Sequence, residues 1–346
     1  MDIVILVIMI IGLAEILSWA LVRLVNATFP WLIIKKDRYP AFPEAIVDKF
    51  FANSFHPELG WCPQPYNEGS DITDNGIKNY KINNKGARLN PSFEEKKSNV
   101  TVFGDSYSFG RLVNDDETWP HLLSKNLDTN VINYSVGNYG FDQAFLRLKE
   151  KIKELESKIV IISVVPETIS RIHSYWKHYY EYGNTLAFKP IFRLENNKLN
   201  FHKQYTVSKS SFFEIKKNEE KIQSLDVFFE SKFKKDMIKF PFSYNLFRTR
   251  NRSLPIIKEI IKGHLFQTKD RGFRNAFRVV IEKNAEHTAK LYNKDQSSKL
   301  LLSLINEYKK LCEDYDKRPI FIMSPQPIDL IRMRQGFLDY KGLLES

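Results

Sequence analysis

The chain has little cysteine: only Cys62 and Cys312 in 346 residues. That excludes a disulfide-framework fold and a cysteine-rich zinc site, and a single bond between the two would have to close a very long loop. No H-x-x-x-H or C-x-x-C spacing is present, so no metal is called for, and neither is an organic cofactor. There is no internal repeat and no low-complexity tract, which excludes solenoids and fibrous arrays. After the first 25 residues no apolar run is long enough to cross a bilayer. Histidine is absent beyond His287. Hydrophobic residues at 43% and charged residues at 27% are ordinary globular values, and the length suits about two units or one large α/β domain with an insertion.

The formal net charge is +11. Basic chains attract nucleic acid, anionic lipid and acidic polysaccharide. Abundant Lys, Asn, Ile and Phe are also what an AT-rich genome encodes, so the charge alone names no partner. The basic, aromatic stretch 228–252 has the composition of a nucleic-acid groove. Behind a membrane segment it suits an acidic glycan or anionic lipid headgroups better, and no nucleic-acid partner is expected.

Residues 3–25 read IVILVIMIIGLAEILSWALVRLV, enough to span the hydrocarbon core, with Glu15 and Arg23 as the only formal charges. Val25-Asn26-Ala27 satisfies the small-residue rule for signal cleavage, but the apolar stretch exceeds a usual signal core, so residues 1–26 are expected to stay as a signal-anchor. Asp2 precedes the span, while Arg23, Lys35, Lys36 and Arg38 follow it, and positive-inside counting then keeps the main domain cytoplasmic.

Residues 27–98 are punctuated by Pro and Gly and read as an extended arm, with turns at Asp74-Asn75-Gly76 and Asn83-Asn84-Lys85-Gly86. Residues 99–346 form an α/β domain. Strands are expected at 99–103, 131–134, 158–165 and 319–324. Helices are expected at 118–127, capped by Asp116, and at 141–156, 275–292 and 296–315. Strand–helix alternation at this spacing predicts a parallel sheet. Residues 167–273 break the rhythm and read as a helical and loop insertion. Within it, 172–180 (IHSYWKHYY) is either an aromatic wall for a sugar or a helix whose aromatics pack on the sheet.

One motif carries chemistry: Gly104-Asp105-Ser106, directly after the first strand and before a helix. A serine there lies on the ligand-binding rim of a parallel sheet, near amides suited to a developing oxyanion. The bland alternative is a serine that caps the helix.

At these residues the chain resembles the SGNH/GDSL hydrolase family, over roughly residues 45–330. Val102-Phe103-Gly104-Asp105-Ser106 is similar to the family's first block, and the run from Asn133 to Gln143 to its second. His56 to Trp61 and Tyr80 to Arg88 resemble the leader of membrane-anchored, extracytoplasmic bacterial members. The resemblance implies a flavodoxin-like three-layer parallel sheet and Ser106 as nucleophile. It also implies an oxyanion hole from the amides of Ser106 and of Gly137 or Asn138. The implied activity is hydrolysis or transfer of acyl esters, often acetyl, on a cell-surface or exported polysaccharide or glycolipid. It places the domain outside the cytoplasm, against the charge count, and we follow it because lysine bias inflates every loop.

The chain departs from that pattern in two places. Glu167, after Pro166, stands where the family's third block has an Asn donor, and an ionised Glu would repel an oxyanion. The family's D-x-x-H pair is missing: Asp329 and Asp339 have no His three residues on. Either the sequence is shortened relative to its relatives or the pair is lost, and the second reading makes the chain an inactive glycan-binding or assembly protein. His121, His173, His178, His264 and His287 remain as substitutes that sequence cannot place.

Overall fold

A computed structural model describes residues 3–29, 31–32 and 40–345. Asp2, Lys35, Lys36 and Arg38, on which the charge count for orientation rests, lie outside the described residues. The chain divides into two compact units. One comprises Met1–Ala41, Trp176–Thr185 and Ile215–Glu286, and the other Phe42–Tyr175, Leu186–Glu214 and His287–Ser346. The expected insertion, 167–273, therefore contributes to both.

The larger unit is built on a four-stranded parallel sheet. It follows the short hairpins β1 (Phe55–His56) with β2 (Gly60–Trp61), and β3 (Glu68–Thr73) with β4 (Gly76–Lys81). The sheet strands are β5 (Ser98–Gly104), β6 (Asn130–Asn133), β7 (Ile159–Val164) and, after the hairpin β8 (Ile191–Glu195) with β9 (Lys198–His202), β10 (Arg318–Met323). Their spatial order is β10-β7-β5-β6, all parallel. Val100, Val102, Phe103, Val131, Val160 and Ile162 are buried, as expected of β-branched and aromatic runs covered on both faces. In order of appearance the sheet reads 2-1-3-4, a doubly wound arrangement whose switch point lies between the first and third strands. β10 is a half-exposed edge, where Pro319 is tolerated.

Helix α1 (Ile3–Thr28) precedes the sheet unit, and α2 (Glu44–Asn53) opens it. Among the sheet unit's helices, α3 (Ser106–Phe109) follows β5, α4 (Trp119–Leu127) precedes β6, α5 (Phe141–Lys151) precedes β7, and α6 (Thr168–Arg171) follows it. Helix α4 is capped by Thr118, whose hydroxyl accepts from the His121 amide at 3.2 Å. The expected cap, Asp116, sits instead in a 3-10 turn, Asp115–Glu117, closed by the Asn114 and Glu117 capping box.

The arm is less extended than its composition suggests. Besides α2 it holds two hairpins, and both expected turns are present. Gly76 adopts φ 101°, and the Asn83 carboxamide oxygen accepts from the amides of Lys85 and Ala87 at 3.0 Å each. Arg88 pins the arm to the core. Its buried guanidinium donates to Asp115 at 2.7 Å and to the carbonyls of Phe109, Gly110 and Val113 at 2.6–2.8 Å.

The smaller unit is helical. The C-terminal half of α1 packs through Val22 and Val25, with Phe29 and Leu32 beyond, against Ile238, Leu246, Ile256, Ile257, Ile260, Ala276 and Val280. Apart from Ile238, which precedes them, these come from three helices, Phe242–Arg248, Arg250–Leu265 and Lys269–Tyr292. The last two approach closely at a glycine pair, where a Cβ on Gly272 would sit 2.8 Å from the Gly263 Cα. The aromatic run is interior. Trp176, Tyr179 and Tyr180 are buried; Tyr179 and Tyr180 pack on Phe228, Phe229 and Phe233 of the same unit, and Trp176 packs on Tyr179. A sugar wall at these rings is excluded by their burial.

Candidate active site

Gly104, Asp105 and Ser106 leave the carboxyl end of β5 at the switch point beside β7. Glycine is required at 104 because a Cβ would lie 1.9 Å from the Ser163 carbonyl oxygen. Asp105, fully buried, caps α3. One carboxylate oxygen accepts from the Tyr107 amide at 2.9 Å, and the other from the Val165 amide at 2.8 Å and Arg171 at 3.3 Å. The capping role considered for Ser106 thus belongs to its neighbour. Ser106 is half-buried, and among the described residues no side chain hydrogen-bonds its Oγ.

The loop after β6 lies alongside. The Val136 amide donates to the Gly104 carbonyl at 3.0 Å, and the Tyr139 amide closes a four-residue turn onto the Val136 carbonyl at 3.3 Å. Asn138 is third in that turn with φ 68°, a left-handed position that Gly or Asn tolerates best. Among the described residues no acceptor takes the amides of Ser106, Gly137 or Asn138, so three backbone donors stand unused in these loops. The arm braces the turn: Trp61 Nε1 donates to the Gly137 carbonyl at 3.0 Å, and the Tyr139 hydroxyl to the Trp61 carbonyl at 2.5 Å.

Arg171, which sequence reasoning missed, joins these segments. Its buried guanidinium donates to Asp105, to the Tyr139 carbonyl at 3.0 Å and to Glu167 at 2.8 Å. The charge of Glu167 is therefore compensated, which offsets the repulsion expected of it. The available signal was the i,i+4 spacing of Glu167 and Arg171 at a helix start. Burial pushes the Asp105 carboxyl above its ordinary value, opposed by Arg171 and the two amides. Three donors and no acceptor face it, the pattern suited to a carboxylate.

The histidines are spread across both units. His121 is buried in α4 with Nδ1 2.9 Å from the Asn90 carboxamide oxygen. His173 is partly exposed, with its Nε2 buried, and desolvation, helped by the charges of Lys189, Lys294 and Arg193, pushes its imidazole down to about 4. His178 is pushed down to about 4 by burial in the helical unit, and His264 lies 3.1 Å from the Thr28 hydroxyl. None is hydrogen-bonded to Ser106. Asp329 stands in the Pro327–Arg334 helix after β10, with Tyr107 and Glu167 close enough to couple to it electrostatically. Burial pushes its carboxyl up. The residue three positions on is Arg332, which is paired with Asp339 at 2.5 Å. Among the described residues no cluster of His, Cys, Asp and Glu is arranged to hold a metal ion.

These features define a mixed α/β protein whose parallel sheet presents at its switch point a serine hydroxyl with no hydrogen-bond partner among the described residues, preceded by one helix long and apolar enough to cross a membrane. No family model matches the chain, and no curated protein matches it in sequence.

Proposed function

We propose that the sheet unit is a serine ester hydrolase or acyltransferase of SGNH type, with a flavodoxin-like three-layer sheet. Its substrates are acyl, chiefly acetyl, esters of a cell-surface or exported carbohydrate, and α1 anchors it with the main domain outside the cytoplasm. The observation that carries this reading is the unbonded Ser106 Oγ at the switch point, beside the unused amides of Ser106, Gly137 and Asn138. In this mechanism Ser106 Oγ attacks the ester carbonyl and gives its proton to a base. The tetrahedral oxyanion is held by the amides, the sugar hydroxyl leaves protonated, and water or a second hydroxyl takes the acyl group from the serine. Asp105 and Arg171 position the loops and take no part in bond making.

A second reading, a non-catalytic glycan-binding or assembly protein of the same fold, is favoured by one observation: no described histidine is hydrogen-bonded to Ser106. Without a base, a serine hydroxyl is a weak nucleophile at neutral pH. The two readings separate on fluorophosphonate labelling of the full chain in mild detergent, beside Ser106→Ala. Labelling of the parent alone supports the enzyme. An unlabelled but folded parent, with glycan retention unchanged by Ser106→Ala, selects the second reading. Alkaline phosphatase fused after Ser346 tests the side of the membrane: an active fusion supports export, and an inactive one overturns it.

A further inference from the structure

The helical unit holds an exposed apolar face next to a basic groove, and neither is used by the serine site. On α1, the outward residues Ile3 to Leu24 stay apolar and exposed, including Ile16, Leu17 and Trp19. At 1.5 Å per residue that face is about 32 Å long, the thickness of a hydrocarbon core. From Glu15 onward the opposite side of α1 is covered by the unit's own helices. The register is set by Glu15 itself, whose carboxylate accepts from the Phe242 amide and from the Ser243 amide and hydroxyl, the last two at 2.9 and 2.7 Å.

This fixes the depth of the Phe242–Arg248 helix. Glu15 lies nine residues, or about 14 Å, inside the Leu24 end of the lipid-facing stretch. Any bilayer that covers the outward face of α1 therefore also reaches the residues flanking the Glu15 contact. Those residues are suited to it. Phe240, Tyr244 and Phe247 are 71%, 61% and 66% exposed, large rings that water disfavours and acyl chains accept. Arg250 lies over the Phe247 ring at 4.5 Å and opens a groove of about 980 Å³. Four cations, Arg250, Lys258, Arg278 and Lys283, line that groove with one carboxylate, Glu259. Aromatic anchors beside clustered cations are the composition of an interfacial segment on anionic lipid.

We infer that the helical unit is a membrane-docking module, in which Phe240, Tyr244 and Phe247 enter the acyl chains beside α1, and the groove from Arg250 to Lys283, on helices that pack toward Val22, Val25 and Leu32, holds anionic phospholipid headgroups. The inference rests on α1 crossing the bilayer, and the experiment reads the two separately. Single cysteines carrying a polarity-sensitive fluorophore are placed in the full chain at Leu13 and at Phe247, each read beside the same protein in vesicles without brominated lipid. The native Cys62 and Cys312 are buried, and the parent chain measures any labelling of them. Each protein is reconstituted into vesicles of phosphatidylglycerol and brominated phosphatidylcholine. The expected result is quenching at 247 comparable to that at 13. Quenching at 13 alone overturns the docking face and leaves the anchor standing; quenching at neither overturns both. For the groove, phosphatidylglycerol is titrated onto the full chain in detergent and followed by native mass spectrometry. Losing two cations in Lys258→Gln/Arg278→Gln is expected to weaken retention about thirtyfold. Equal retention of phosphatidylcholine, or no loss in the double variant, overturns the headgroup site. Displacement of the lipid by a soluble acidic polysaccharide at equal charge also overturns it, in favour of a glycan.

Discussion

Replacing Arg171 by Met tests the account of the serine loops most directly. The change removes a buried guanidinium that donates to Asp105, Glu167 and the Tyr139 carbonyl, and leaves the fully buried Asp105 facing only two amides. Breaking a buried pair by deleting one partner costs about 3–5 kcal/mol. Against a domain stability of about 5–15 kcal/mol that is a large fraction, and the variant is expected to fold with a loosened site. The deficit is expected to depend on pH with a definite sign. Burial already raises the Asp105 carboxyl in the folded chain, and without Arg171 it rises further. A carboxyl raised by folding costs nothing below its unfolded value of about 3.9, and costs stability as pH rises through the folded value. The gap between variant and parent is therefore widest at neutral pH and closes toward about pH 4. Hydrogen exchange on β5 and β7 peptides of the full chain, across a urea series, reads the sheet unit apart from the helical one. Adding Asp105→Asn removes the stranded charge, so the double variant is expected to cost about 2 kcal/mol less than the sum of the singles. Additivity within about 0.5 kcal/mol, or a deficit that does not shrink in acid, refutes the reasoning.

Gly104→Ala drives a Cβ into the Ser163 carbonyl and is expected to cost about 3 kcal/mol or to prevent folding, read by thermal unfolding. Asn138→Gly is expected to be nearly silent, whereas Asn138→Val costs about 1–2 kcal/mol at its left-handed backbone; equal melting temperatures for the two refute the turn. A chain begun at Thr28 loses Val22 and Val25 from the helical core and is expected to aggregate on gel filtration, which a monodisperse peak of unchanged helicity contradicts. His173, pushed down to about 4, stabilises the fold above the unfolded histidine value of about 6.5, and that contribution is lost as pH falls toward 4. His173→Asn is expected to flatten the fall in melting temperature between pH 7 and 5.

The long apolar first helix, the strand–helix alternation and the placement of Ser106 where a strand gives way to a helix were legible in the sequence, because each rests on local periodicity. Strand and helix bounds move by only a few residues, and the Asn138 backbone is as its residue type suggests. Two features misled. Asp116 looked like the cap of α4, but Pro120 and the hydroxyl of Thr118 set the cap two residues later. The arm's prolines suggested extension, yet Val47 and the Phe50 and Phe51 rings find partners that make a helix of 44–53.

What the sequence determined by itself was therefore local: which segments are apolar enough for a bilayer or a buried strand, and which residue ends the first strand of the sheet. Tertiary structure alone decided the rest. It showed that Asp105 and not Ser106 caps α3, that Arg171 compensates Glu167, that the aromatic run is core, and that Glu15 meets Phe242 and Ser243. Each of these joins groups far apart in the chain, or sets a side chain's burial, and neither distance nor desolvation is written in a linear pattern. The same physics explains why no histidine was assignable to Ser106: a base is defined by reach in space, and the described fold spends its histidines elsewhere.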